Sequence, residues 1–174
     1  MKLFHRFLLF LCLISFNAFA YGVPRGLYVL EYPVSMPDVS LVSENNHAKP
    51  ILDPAADLTI LIFWSQTCAP CLREMKYIET LYPKAAHDNI KVMLISSSSE
   101  WKNTKEERTF LTKYGAPTVP FYSDIDNKLS LSLGIGTTPY TVIMDHNGKK
   151  VATIQGEANW SSNKLYKMIK KLIK

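Results

Sequence analysis

The chain has 174 residues, which is room for one domain with a proper core and little else. With 47% hydrophobic and 20% charged residues it is neither disordered nor fibrous. The formal charge of +5 is mild, and neither a glycine-rich cradle nor a basic patch interleaved with aromatics is present, so phosphate and nucleic-acid binding are excluded as expectations.

The first twenty residues, "MKLFHRFLLFLCLISFNAFA", combine a basic start, an apolar run from Phe7 to Phe16 and the small-x-small pattern Ala18-Phe19-Ala20. This predicts an export signal over 1–20, cleaved before Tyr21. The apolar run falls short of the roughly 20 residues that span a bilayer, which makes an uncleaved membrane tether the weaker alternative. Cys12 would leave with the signal, so Cys68 and Cys71 would be the cysteines of the mature chain.

Residues 21–35 read as an N-terminal extension and 36–174 as the folded domain. Pieces such as "LYVLEY" and "VSLVS" before residue 57 predict a hairpin added to a sheet edge. "LTILIFW", Leu58 to Trp64, is a continuous apolar run of the kind buried on both faces of a sheet. "APCLREMKYIETLYPKAAH" has helical spacing, with Leu72, Met75, Ile78 and Leu81 or Tyr82 on one stripe and the charges opposite. "IKVMLIS" is a second strand, and a strand-helix-strand unit favours a parallel right-handed crossover. The following "SSSS" reads as a polar loop without a nucleophile signature.

"TKEERTFLTKYG" predicts a helix opened by Thr104 and Glu107 in capping-box register and stopped at Gly115. "TVPFYS" is a short strand candidate broken by Pro120. "DIDNKLSLSLGI" predicts a turn, holding Asp124 and Asp126, followed by a short helix. "YTVIMDHNGKKVATIQG" predicts a hairpin through Asn147-Gly148. "SSNKLYKMIKKLIK" places Leu165, Met168, Ile169, Leu172 and Ile173 on one face of a terminal helix with lysines on the other.

Two features carry chemistry. In "FWSQTCAPCLREM", Cys68 would sit at a helix N-terminus, where free N–H groups and the helix dipole stabilise a thiolate. Pro70 suits the first turn, and Cys71 comes round to the same side, so the two sulfurs can meet in reversible thiol-disulfide exchange. A bridge over so short a loop does little as a staple. A zinc site would need about four ligands, and His47, His87 and His146 stand at no metal-like spacing. Cu(I) binding by soft thiolates remains a non-enzymatic alternative. The second feature is Thr138-Pro139 directly before a strongly apolar strand, since X-Pro bonds are the main site of cis peptides.

In this order the features resemble the thioredoxin superfamily, and within it the TlpA/ResA-like exported thiol-disulfide oxidoreductases. The resemblance covers roughly Met36 to Lys174 and rests on "FWSQTCAPCLREM", "PFYSDIDNKLSLSLGI", "TTPYTVIMDHNGKKV" and "GEANW". It implies an α/β thioredoxin-like fold: a central mixed β-sheet flanked by helices, with an N-terminal extension. It also implies protein thiol-disulfide oxidoreductase activity without a cofactor. Cys68 matches the nucleophile, Cys71 the resolving cysteine and Pro139 the cis-proline. Thr138 would offer its backbone to an extended partner segment. Trp64 matches an aromatic at the strand end, and Glu74 an acid that tunes the cysteines, or else a glutamate favoured by the dipole.

There are departures. Ile62 stands where ordinary thioredoxins carry a buried Asp, so Glu74 or water would have to move the proton. Tyr140 stands where cytochrome c maturation reductases often carry Glu. The residues between the cysteines, Ala69 and Pro70, carry no charge to push the nucleophile's pKa down, which favours a reductant over an oxidase or isomerase. The expected partners are disulfide-containing or dithiol exported proteins and a membrane-embedded thiol donor. The expected protein is a periplasmic or otherwise exported monomer.

Overall fold

A computed structural model describes residues 26–173. The predicted export signal and cleavage site lie outside the described residues. The chain order is β1 (Gly26–Ser35), β2 (Ser40–Ser43), β3 (Ala48–Pro50), β4 (Leu58–Phe63), α1 (Ala69–His87), β5 (Ile90–Ser97), α2 (Thr104–Lys113), β6 (Phe121–Asp124), α3 (Lys128–Ser132), β7 (Tyr140–Asp145), β8 (Lys149–Gln155) and α4 (Asn163–Lys170).

The strands form one mixed sheet in the order β1-β8-β7-β4-β5-β6-β2-β3. β4, β5 and β6 run parallel, and the remaining neighbours pair antiparallel. All six residues of β4 are buried, as its continuous apolar run predicts for a central strand. Its side chains alternate between faces. Leu58, Ile60 and Ile62 join Met75 and Ile78 of α1, Leu111 of α2 and Ile169 of α4 in one core. Leu61 and Phe63 join Leu41, Ile51, Met93, Ile95, Leu129 and Val142 in a second core on the other face. The sheet is therefore covered on both sides. Among the described residues no helix is long and apolar enough to cross a membrane.

Several sequence expectations are corrected. The stretch before residue 57 does add a hairpin to a sheet edge, formed by β2 and β3 beside β6, but β1 is not part of it and pairs with β8 at the opposite edge. Helix α2 is capped by Asn103 rather than Thr104. Asn103 Oδ1 accepts from the Glu106 N–H at 3.0 Å, and Glu106, not Glu107, reaches back, to the Lys102 N–H at 2.8 Å. Ser96 belongs to β5 and is buried rather than lying in a polar loop. α4 ends at Lys170 and buries Tyr166 and Ile169, leaving Met168 exposed.

Other local expectations hold. β7 and β8 form the hairpin, with Gly148 at φ 72° and Asp145 Oδ1 accepting from the N–H groups of Asn147 and Lys149. Asp124 serves the turn before α3, accepting from the N–H groups of Leu129 and Ser130, each at 2.9 Å.

Candidate functional site

The reactive pair sits where β4 hands over to α1. All six residues of β4, Leu58 to Phe63, pair with β5 on one side and β7 on the other, and the chain leaves the strand through the Ser65–Thr67 loop. Cys68 is the N-cap of α1: its carbonyl accepts from Leu72 N–H and its Sγ accepts from Cys71 N–H at 3.3 Å. Pro70 occupies the first turn, where its missing N–H costs no helical bond. Cys68 and Cys71 are joined as a disulfide, their Cα atoms 5.3 Å apart. Cys68 is half-buried, whereas Cys71 is 1% exposed within the main core. An attacking partner can thus reach one sulfur and not the other. In the dithiol form, the N–H aimed at Cys68 Sγ and the dipole of a 19-residue helix favour a thiolate at that sulfur.

Glu74 lies one helical turn beyond Cys71, on the buried stripe with Met75 and Ile78 and not among the charges opposite. Burial pushes its carboxyl up to about 7. The Ala158 N–H, which donates to it, works the other way by favouring the charged form, and the neighbouring Glu157 charge pushes up again. The indole N–H of Trp160 also favours the carboxylate, from outside ordinary hydrogen-bond geometry. Glu74 is therefore poised to hold or release a proton near neutrality, beside the buried cysteine.

The Thr138-Pro139 bond is cis. Pro139 is buried and its carbonyl accepts from Gly156 N–H at 2.9 Å, fixing it to the end of β8. The backbone N–H and C=O of Thr138 make no hydrogen bond with any described residue. One groove of about 770 Å³ runs between α1 and this loop, walled by Pro70, Arg73 and Tyr77 on one side and by Thr138, Pro139 and Ala158 on the other. Arg73 and Glu157 pair across it in a fork, with Nε–Oε1 3.2 Å and Nη2–Oε2 2.5 Å.

Two residues expected to contact the partner, Trp64 and Tyr140, stand outside this groove. Trp64 is 2% exposed and packs near Trp101 and Phe110, with ring centroids 5.6 and 6.1 Å away. Tyr140 opens β7 and packs half-buried against the second core. Neither lines the groove.

Sequence reasoning missed two groups close to the site. Glu100 Oε2 accepts from Gln66 N–H at 2.8 Å and Ser65 Oγ at 3.1 Å, and its carbonyl accepts from Gln66 Nε2 at 2.9 Å, so it clamps the loop that delivers Cys68. Glu107, on α2, is fully buried and accepts from Ser96 Oγ at 2.7 Å, while Ser96 accepts from the Trp101 indole at 3.1 Å. Burial pushes the Glu107 carboxyl up to about 8. No local signal marked Glu100, and Glu107 was marked only as a capping-box partner. Among the described residues no three His, Cys, Asp or Glu side chains gather into a metal-ligand set.

Comparison with known proteins agrees with this geometry. The Redoxin family model matches residues 34–169. A thiol-disulfide oxidoreductase ResA of Geobacillus thermodenitrificans is 28% identical over 120 residues, 69% of this chain and 67% of that protein. A thiol:disulfide interchange protein HelX of Rhodobacter capsulatus is 29% identical over 100 residues, 57% of this chain and only 52% of its own length. Among solved structures, a Chlorobium tepidum chain described as a thiol:disulfide interchange protein DsbE superposes with a TM-score of 0.69 at 18% identity. That superposition covers 83% of this chain and 99% of the other, and it shows the fold to be thioredoxin-like. The chain belongs to the Redoxin family, as a TlpA/ResA-like thiol-disulfide oxidoreductase of the thioredoxin superfamily.

Proposed function

We propose that the protein is exported by its first twenty residues and reduces disulfides in exported partner proteins. The observation that carries this reading is the half-buried Cys68 at the N-cap of α1, with Cys71 enclosed behind it and the Pro139 groove alongside. The reduced Cys68 thiolate attacks one sulfur of the partner's disulfide. A Cys68–partner bond forms as the partner's S–S bond breaks, and the leaving partner thiolate takes up a proton. Cys71 then gives its proton to Glu74 or water and attacks Cys68 Sγ. The Cys68–Cys71 disulfide closes, and the partner's second thiol is released. The partner gains two electrons and two protons, and a membrane-embedded thiol donor returns the electron pair to the protein.

The free backbone groups of Thr138 support strand-like pairing with an extended partner segment at the groove. The uncharged Ala69-Pro70 linker supports the reducing direction, because it adds no charge that would stabilise the reduced form. The basic-apolar-small pattern of residues 1–20 supports export. Titration of the pair against defined redox buffers tests the direction. A midpoint near thioredoxin's, about −270 mV, is expected, and one near about −120 mV would reverse the assignment to an oxidase.

A further inference from the structure

On the far side of Thr138 from the groove lies a second cavity, of about 270 Å³, that the exchange chemistry does not use. It opens at the C-terminal ends of β4 and β5 and reaches the Gly136–Thr138 loop. Its wall holds two carboxylates, Glu100 and Asp124, and no Lys or Arg. The two are not equivalent. Asp124 is 2% exposed and committed to the N–H groups of Leu129 and Ser130 and to Ser130 Oγ. Glu100 is half-buried, spends only Oε2 on the loop before Cys68, and has no described residue bonded to Oε1. Trp64 lines the same cavity, is 2% exposed, and carries a buried indole N–H without a partner.

We propose that this cavity is a recognition pocket for the partner polypeptide, taking a Lys or Arg side chain that lies within two residues of the partner's cysteine. The proposal rests on the exchange reading given above. A segment paired with the Thr138 backbone passes between the groove and this cavity, and its side chains project alternately to the two sides, so a residue one or two places from the cysteine reaches the mouth. A cationic head group finds the open Glu100 oxygen, with the Asp124 charge behind it, in a partly desolvated site where the attraction exceeds that of a surface pair. In the groove, by contrast, Arg73 and Glu157 neutralise one another, so discrimination by charge falls to the cavity.

Competition kinetics test this with the reduced full-length mature protein. The substrates are nine-residue peptides bearing a central cysteine as its mixed disulfide with 2-mercaptoethanol, with Lys, Gln or Glu at each of the two positions on either side. At one or more positions Lys should raise kcat/KM about fivefold over Gln, with Glu below Gln. Glu100→Gln should remove the preference. Leu131→Lys, at a wall residue 71% exposed, should turn the preference toward Glu. Equal reduction of all peptides, or a Lys preference that survives Leu131→Lys, would overturn the pocket while leaving the exchange reading intact. Reduction of no peptide, and of no small disulfide, would overturn both.

Discussion

The backbone N–H of Ala158 donates to the carboxylate of Glu74, tying the segment after β8 to the helix that carries both cysteines. The bond holds a 2% exposed carboxyl one helical turn from Cys71, with its pKa pushed up to about 7 by burial. When Glu74 is charged, it disfavours a thiolate nearby. Glu74→Gln keeps an acceptor for Ala158 and removes the charge. In the reduced protein, the pH profile of Cys68 alkylation should shift down by about half a unit to one unit and lose its inflection near neutrality. Superimposable profiles would show that Glu74 serves the fold alone.

Glu107 gives a stability prediction whose sign follows from linkage. Its folded pKa, about 8, lies above the ordinary carboxylate value, so between those values the folded state binds more protons than the unfolded one. Stability therefore falls as pH rises from about 4.5 toward 8, and Glu74 adds to the fall up to about 7. Glu107→Gln keeps an oxygen for Ser96 Oγ and cannot ionise. It should flatten the upper part of the decline and stabilise the protein at pH 8.5 by on the order of 2 kcal/mol. Urea unfolding across the pH range measures this, and parallel curves for the two proteins would contradict it.

Trp64 should matter through packing. It is buried near Trp101 and Phe110 and lies outside the Pro139 groove. Trp64→Ala should cost about 3–5 kcal/mol in denaturant unfolding. Trp64→Phe should recover most of that stability through its ring. A Trp64→Ala protein of normal stability would refute the packing role.

The disulfide should add little to the fold. Its cysteines are three positions apart, and closing so short a loop restricts the unfolded chain by about 2 kcal/mol at most. Cys68→Ala should therefore fold cooperatively, with a Tm within about 8 °C of the oxidised protein, while disulfide reduction is lost. Global unfolding of the variant would assign the pair a structural role.

Much of this arrangement was legible because the physics is local. The unbroken apolar run of β4, the helical spacing after Cys68 and the Asn147-Gly148 turn each specify structure within a few residues. The destinations of β1 and β2 were not legible, since their partners, β8 and β6, lie 79 or more positions away in the chain, and a β-rich segment does not encode which edge it will join. The burial of Glu74 and Glu107 was not legible, because a charge on a helix ordinarily faces water. Their burial depends on Ala158 and Ser96, which approach from other elements. The cap of α2 was displaced by one residue because Asn103 and Thr104 are both competent caps, and only the path of the incoming chain selects Asn103. The site showed the same division. Cys68, Cys71 and Pro139 are marked by their neighbours in sequence, whereas Glu100 becomes part of it only through the folded contact with Gln66.

The central claim is that Cys68 attacks partner disulfides and Cys71 releases them. Replacing Cys71 by Ser in the cell of origin removes the resolving thiol and leaves the attack intact. Non-reducing gels and mass spectrometry of the purified Cys71→Ser protein should show exported proteins bound through Cys68, released by dithiothreitol and absent from a Cys68→Ser/Cys71→Ser control. A Cys71→Ser protein with no bound partner and a free Cys68 thiol, while the thiol status of exported proteins stays unchanged, would contradict the account.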